Sequence, residues 1–264
     1  MFFIKDSYFI SEKIGHEKNG DRALSLCFET KPATSNKISV YCVLDGVSTA
    51  NDRYASSLAS VCLCSELSKV FADVNEVGRM DSDEKMLYFY SVMRQAILAA
   101  DKSLFEDENY CATTVSMAIV HEKYVYTANI GDSPILFLDL ADNTLTELYT
   151  SHSEAAAAVR RGEIDKSEMH TYKKKNIISK AVGGKARLEE LDVPTRRTLL
   201  SEDGILLLGS DGALSVFSAE VLKEELLNNA DNMKDFCEKH FEKVKEAGGK
   251  DDFTLMAHRI SAWI

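Results

Sequence analysis

From Thr113 to Tyr149 the chain reads TTVSMAIVHEKYVYTANIGDSPILFLDLADNTLTELY. Val115, Met117 and Ile119 alternate with Thr114, Ser116 and Ala118, the two-residue period of a strand with one face turned to a core. His121-Glu122-Lys123 turns the chain into a second β run, Tyr124 to Ile130, and Pro134 to Leu138 and Leu145 to Tyr149 continue it as a meander. A doubly wound parallel sheet needs a helix after nearly every strand, and no helical period interrupts this block. Antiparallel pairing is therefore expected.

Upstream, Ser7 to Ile14, Ala23 to Phe28 and Ser39 to Leu44 are strand-like, with the turn-forming Asn19-Gly20-Asp21 between the first two. Asp81-Ser82-Asp83-Glu84 can cap a helix, on which Met86, Tyr90, Met93, Ile97, Ala100 and Leu104 recur at steps of three and four. Tyr54 to Phe71 predicts a second helix, apolar on more than one side and thus buried between the sheet and its neighbour. Downstream, Ser153 to Asn176 changes character, with an Ala-rich start, a charged Arg160-Arg161-Gly162-Glu163 corner and a Lys173-Lys174-Lys175 run, and reads as a mobile insertion. Leu199 to Leu208 returns to strand, Ala219 to Leu227 and Asn232 to Glu246 read as helices, and Phe253 to Ile260 contains a last strand. Two blocks of strands, each followed by paired helices, predict an α+β fold: a four-layer αββα sandwich of two antiparallel sheets flanked by helices. One domain over residues 1–264 is expected, with the insertion at about 153–176.

The chain has 264 residues, 31 basic against 42 acidic, for a net charge of −11. That field repels a polyanion and attracts cations, so nucleic acid is not an expected partner. Only 3 Pro and 13 Gly argue against long disordered stretches. The longest apolar runs, such as Met86 to Tyr90, fall far short of the roughly 20 residues of a bilayer span, and the opening residues lack a secretory pattern. Six cysteines without a CxxC pair read as reduced thiols of a cytoplasmic protein with no membrane association.

Acidic residues stand at the ends of the strongest β runs. Asp45-Gly46 closes Tyr41-Cys42-Val43-Leu44, Asp132 follows Ala128-Asn129-Ile130-Gly131, Asp211-Gly212 follows Leu206-Leu207-Leu208-Gly209-Ser210, and Asp251-Asp252 precedes the last strand. Singly, each is a common turn. Together, carboxylates converging on one sheet edge would repel one another unless a hard divalent cation neutralised them. Oxygen ligands of this kind favour magnesium or manganese over zinc.

These residues carry a resemblance: the sequence is similar to the metal-dependent protein phosphatases of type 2C. Tyr41 to Gly46 resembles that family's strand ending in Asp-Gly, Cys111 to Thr114 its Gly-Thr-Thr segment, and Ala128 to Ser133 its Ala-Asn-Val-Gly-Asp-Ser motif. Ser151-His152-Ser153 stands at the Asp-His-Ser position, Val159 to Ile164 and Asn176 to Gly183 resemble the flap and the segment after it, and Leu206 to Gly212 and Asp251 to Thr254 resemble the last two motifs. The match runs in order from about Gly15 to Ile260. It implies a serine/threonine phosphatase acting on phosphorylated proteins through a metal-activated water at a binuclear centre of Mn2+ or Mg2+. Asp45, Asp211 and Asp251 are the catalytic residues so implied. Asp45 would bridge the two ions, Asp211 and Asp251 would bind the first, the Gly46 carbonyl the second, and Asp132 a third, weaker ion near the flap.

The departures from the family pattern are specific. His16 stands where a phosphate-gripping Arg is usual, making it the candidate phosphate-binding residue, and Gly20 stands where a Glu assists the second metal. Asp21 matches a family Asp that supports the site. Val47 follows Asp45-Gly46 where some relatives carry a His that protonates the leaving group, which predicts a bias toward aryl phosphates. His152 reads as a hydrogen-bonded residue at the base of the flap, not as a catalytic one. The Lys173 to Lys175 run is either a solvated face or a means of capturing acidic or phosphorylated partners. Gly183-Gly184-Lys185 lacks the spacing of a phosphate loop. The alternative to an enzyme is a phosphatase-fold regulatory or binding protein with weakened catalysis, and a third reading is a hydrolase of small phosphate esters.

Overall fold

The structure, a computed structural model, describes residues 2–14, 17–29, 37–47, 52–73, 76–106, 110–200 and 203–262. Among the described residues, ten strands form two five-stranded sheets. In chain order they are β1 (Phe2–Glu12), β2 (Arg22–Phe28), β3 (Ile38–Leu44), β4 (Val115–His121), β5 (Tyr124–Ile130), β6 (Ile135–Asp139), β7 (Thr144–Glu147), β8 (Thr195–Leu199), β9 (Gly204–Gly209) and β10 (Phe253–Ala262). One sheet has the order β1-β10-β9-β6-β7 and the other β2-β3-β4-β5-β8, and neighbours pair antiparallel throughout. The expected αββα sandwich is the observed architecture.

Its wiring departs from the sequence reading in three places. The turn at Asn19 to Asp21 does not make a hairpin: β1 lies beside β10, with Phe2 opposite Ala262, while β2 pairs with β3 in the other sheet. Strand β1 also begins at Phe2 and ends before Ile14, whose N–H donates instead to a carboxylate oxygen of Asp252 at 3.1 Å. The meander breaks after β5. Gly131 turns the chain at φ 98° and Pro134 has no N–H to offer a ladder, so β6 crosses to the opposite sheet. Finally, Leu199 to Leu208 is two strands, β8 on an edge of one sheet and β9 in the middle of the other, a boundary hidden by leucines on both sides.

Helices α1 (Asp52–Val70) and α2 (Ser82–Phe105) pack on each other and cover the β2–β8 sheet. α1 buries Ala55, Ala59, Leu63 and Leu67, residues one turn apart, against the core that also takes Phe89, Met93, Ile97 and Leu104 of α2. The α2 start is the predicted capping box: the Asp81 carboxylate accepts from the N–H groups of Asp83 and Glu84, and the Glu84 carboxylate from that of Asp81. Such a cap contributes about 0.5–2 kcal/mol. A short α3 (Glu154–Arg160) lies in the 153–176 segment, and α4 (Asp211–Leu214), α5 (Ala219–Asn228) and α6 (Met233–Glu246) cover the other sheet. Between the sheets Tyr41, Val43, Phe137, Leu206, Leu208 and Met256 form the central layer. Burial on this scale drives folding. The cysteines are free thiols, and no helix among the described residues is long and apolar enough to cross a membrane.

Candidate functional site

Five carboxylates gather where the two sheets end together. Asp21 and Asp45 flank β2 and β3, Asp132 follows β5, Asp211 opens α4 after β9, and Asp251 stands before β10. One sheet thus supplies three of them and the other supplies two. Asp45 feels the charges of Asp21, Asp211, Asp251 and Asp132 together. All four strand-end aspartates expected from the sequence are therefore neighbours, and Asp21 joins them.

The Asp45 backbone is held firmly. Its N–H donates to Thr114 Oγ1 at 3.0 Å, and its carbonyl accepts from the Thr114 N–H at 2.8 Å and Thr113 Oγ1 at 2.9 Å. Gly46 bridges to Thr113, and the Val47 N–H donates to the Ala112 carbonyl at 2.9 Å. Thr114 Oγ1 also meets Ser133 Oγ at 2.7 Å, which ties the Asp45 turn to the Asp132 turn. That close approach requires Gly131, since a Cβ there would lie 2.5 Å from Thr114 Cγ2. Gly212 acts likewise. A Cβ at that position would meet the Asp252 carbonyl oxygen at 2.2 Å, so only glycine lets α4 carry Asp211 against the Asp251 turn.

Electrostatics follow from this crowding. Burial, then the neighbouring aspartates, hold the Asp45 carboxyl well above the ordinary carboxylate range. Burial and Asp251 raise Asp211, against the pull of Asp45, the Gly212 N–H and Lys175. Asp132 is pushed up to about 7 by burial and then by Asp211. Asp21 also reaches about 7, burial outweighing the nearby Thr254 and Ser210 hydroxyls. One oxygen each of Asp21 and Asp211, Oδ2 and Oδ1, is buried with no hydrogen-bond partner among the described residues. Orphaned, mutually repelling carboxylate oxygens are what a hard cation would satisfy, so the residues fit one. Among the described residues, no three or more His, Cys, Asp or Glu side chains are placed so that they could hold a metal ion by themselves. An ion held here would complete its shell with carbonyl and water oxygens.

The other predicted residues fall as follows. His16 lies outside the described residues. Gly20 donates its N–H to Asp252 Oδ2 at 2.7 Å, so with Ile14 it fastens the amino-terminal segment to the Asp252 carboxylate. Sequence reasoning assigned Asp252 no such role, and only its position beside Asp251 could have signalled it. His152 is buried, with Nδ1 accepting from the Gly131 N–H at 3.1 Å, and its carbonyl accepts from the Ser179 N–H at 2.8 Å. It is the hydrogen-bonded residue at the base of the 153–176 segment that the sequence suggested. The Gly183 N–H donates to the buried Asp101 carboxylate at 2.8 Å, an anchor incompatible with a phosphate at that turn. Of the three lysines, Lys173 and Lys174 are exposed, whereas Lys175 is half-buried and lines a cavity of about 610 Å3 together with Asp132 and Asp211.

Comparison with known proteins agrees with this geometry. Residues 29–264 match the family described as "Protein phosphatase 2C". The chain is 32% identical over 167 residues to the serine/threonine phosphatase stp of Listeria welshimeri and 30% identical over 167 residues to that of Listeria monocytogenes. These matches cover 62% of this chain and 62% of the length of each relative. Among solved structures, the serine/threonine phosphatase Stp1 of Staphylococcus aureus superposes with a TM-score of 0.79 at 20% identity, over 98% of this chain and 96% of that one. The catalytic domain of the phosphatase PstP, solved with 2 manganese ions, gives 0.74 at 17% identity, over 99% of this chain and 100% of that one. These likenesses show the fold.

Proposed function

Because the chain belongs to the protein phosphatase 2C family, we propose that it is a metal-dependent phosphatase hydrolysing phosphoserine and phosphothreonine in proteins. The observation that carries this reading is the gathering of Asp45, Asp132, Asp211 and Asp251 at one sheet edge, held there against their own repulsion. An inert binding module would be more stable with one of them neutralised. Manganese or magnesium, as two ions with a weaker third, suits an all-oxygen donor set. Asp45, the Gly46 carbonyl, Asp211 and Asp251 would hold the pair and Asp132 the third. Bound there, the ions would supply positive charge for the phosphoryl group and acidify water.

The chain's own residues do the positioning. Thr113 and Thr114 fix Asp45 through three hydrogen bonds, so its carboxylate keeps one direction while charge moves nearby. Val47 offers no proton to a leaving group, which supports faster turnover of aryl than of alkyl phosphates. Segment 153–176 walls one side of the cavity and acts as a flap on a single catalytic domain. Free cysteines suit a reducing compartment, which supports a cytoplasmic protein.

The test is aryl phosphate and phosphopeptide hydrolysis with Mn2+, with chelator, and with Asp211→Asn. Metal-dependent turnover lost in the variant is the expected result. No metal-dependent turnover would favour the binding protein, and activity on aryl phosphate alone would favour a small-ester hydrolase.

A further inference from the structure

We infer that Lys175 grips the phosphate of the substrate from the flap side of the site and thereby sets its affinity for phosphorylated side chains. The inference rests on the phosphatase reading above and deepens it. The cavity of about 610 Å3 lies between segment 153–176 and helices α4 and α5, with Asp132 and Asp211 on one side and apolar walls at Leu136, Leu214 and Phe217. It is lined by two lysines, Lys166 and Lys175. Lys166 is committed to Glu147 at 2.8 Å.

The remaining cations of the region are likewise accounted for. Arg161 pairs with Glu154 and Glu163, Arg160 donates to the Ser151 carbonyl at 3.3 Å, and Lys180 pairs with Asp192. Lys173 and Lys174 are exposed. Lys175 is left half-buried, with no hydrogen bond or ion pair from its ammonium to any described residue. Its backbone is fixed by a turn, the Lys175 N–H donating to the Tyr172 carbonyl at 3.1 Å. Lys175 lines the same cavity as Asp132 and Asp211, which places it on the carboxylate side of the site.

A half-buried ammonium on a cavity wall, with no partner among the described residues, is free to pair with an anion that enters the cavity. The cluster itself is claimed by cations, so the anion that fits between the two is the phosphate dianion of the substrate. A charged hydrogen bond of this kind is stronger than a neutral one. It would also compensate for the absence of arginine at position 16.

The experiment compares wild type, Lys175→Gln, Lys175→Arg and Lys174→Gln, all loaded with Mn2+, on one phosphopeptide and with inorganic phosphate as inhibitor. Lys175→Gln is expected to raise both KM and the phosphate inhibition constant roughly 10- to 100-fold while kcat changes by less than about threefold. Lys175→Arg should restore most of the loss, and Lys174→Gln should match wild type. Unchanged KM and phosphate inhibition in Lys175→Gln, with wild-type turnover still abolished by Asp211→Asn, overturns the inference and leaves the phosphatase reading standing. A fall in kcat alone also overturns it, since that pattern belongs to flap closure. Absence of metal-dependent turnover in wild type removes the reading and the inference together.

Discussion

The His240 imidazole reaches the Ala213 carbonyl, 2.9 Å from its Nε2, two residues beyond Asp211. Its Nδ1 lies 2.8 Å from Glu225 Oε2, so the ring bridges a carboxylate on α5 and a backbone carbonyl of α4. Phe236 stacks on it at 5.6 Å, and Lys243 approaches Glu225 at 3.0 Å. The pair thus links α5 and α6 to the short helix that bears Asp211. His240→Phe keeps the ring but removes both polar contacts. It should destabilise the fold by about 1–3 kcal/mol in urea unfolding and weaken Mn2+ binding measured by calorimetry. Wild-type metal affinity in a destabilised variant would confine His240 to a purely structural role.

That linkage also shows where the sequence was legible and where it was not. Asp45 and Asp211 could be read because Asp-Gly after an apolar run marks a strand end, and strand ends in a sandwich meet at edges. The partners of Asp211 could not be read. His240 and Glu225 lie on separate helices, and their pairing depends on how α5 and α6 dock, which no local pattern encodes. Sheet membership failed for the same reason: Phe2 opposite Ala262 is a pairing across almost the whole chain, while the turn at Asn19 to Asp21 suggested a local hairpin. The Lys173 to Lys175 run gave no facing, because the turn that Lys175 closes on the Tyr172 carbonyl follows no helical or strand period.

His258 and Glu225 are two of the groups that remove stability in acid, while the raised Asp21, Asp45, Asp132 and Asp211 carboxyls work in the opposite direction. Burial pushes the His258 imidazole down to about 3, with Nδ1 2.8 Å from Ser7 Oγ and the ring stacked on Tyr41. An unfolded histidine protonates near ~6.5, so the unfolded state gains protons that the folded state refuses, and stability declines as pH drops from about 6.5 toward 3. Glu225 adds a lower window. Burial would raise its carboxyl, but His240 and Lys243 outweigh this and hold it below the ordinary value. Its contribution is present above about 4.3 and is lost as pH falls toward the depressed folded value. Melting curves between pH 4 and 7 should show the upper limb flattened in His258→Phe and unaffected in Glu225→Gln. An unchanged upper limb in His258→Phe would sink the assignment.

The Asp252 carboxylate accepts from Ile14 and Gly20, residues more than two hundred positions away. Asp252→Ala removes both acceptors and leaves two backbone donors to find water, at about 1–3 kcal/mol for each one left unsatisfied. The expected outcome is faster amide exchange at Ile14 and Gly20 and weaker metal binding through the adjacent Asp251. Exchange at wild-type rates would show that the amino-terminal segment is held by other contacts.

Val47 is the residue that should set the ranking of substrates. An alkyl phosphate of serine or threonine leaves as a basic alkoxide and gains from a proton donor, whereas an aryl phosphate leaves as a weakly basic phenolate and gains little. The Val47 N–H is held by the Ala112 carbonyl at 2.9 Å, directly after the Asp45-Gly46 turn, so a longer side chain placed there stays next to the site. Val47→His should raise turnover of a phosphoserine peptide roughly 10-fold or more relative to an aryl phosphate, up to the 10²–10⁴-fold of a fully positioned general acid. It should also add a limb of declining rate above the pKa of the introduced imidazole, on the peptide and not on the aryl ester. Equal changes on both substrates, or a profile with no new limb, would mean that protonation of the leaving group does not limit the reaction here.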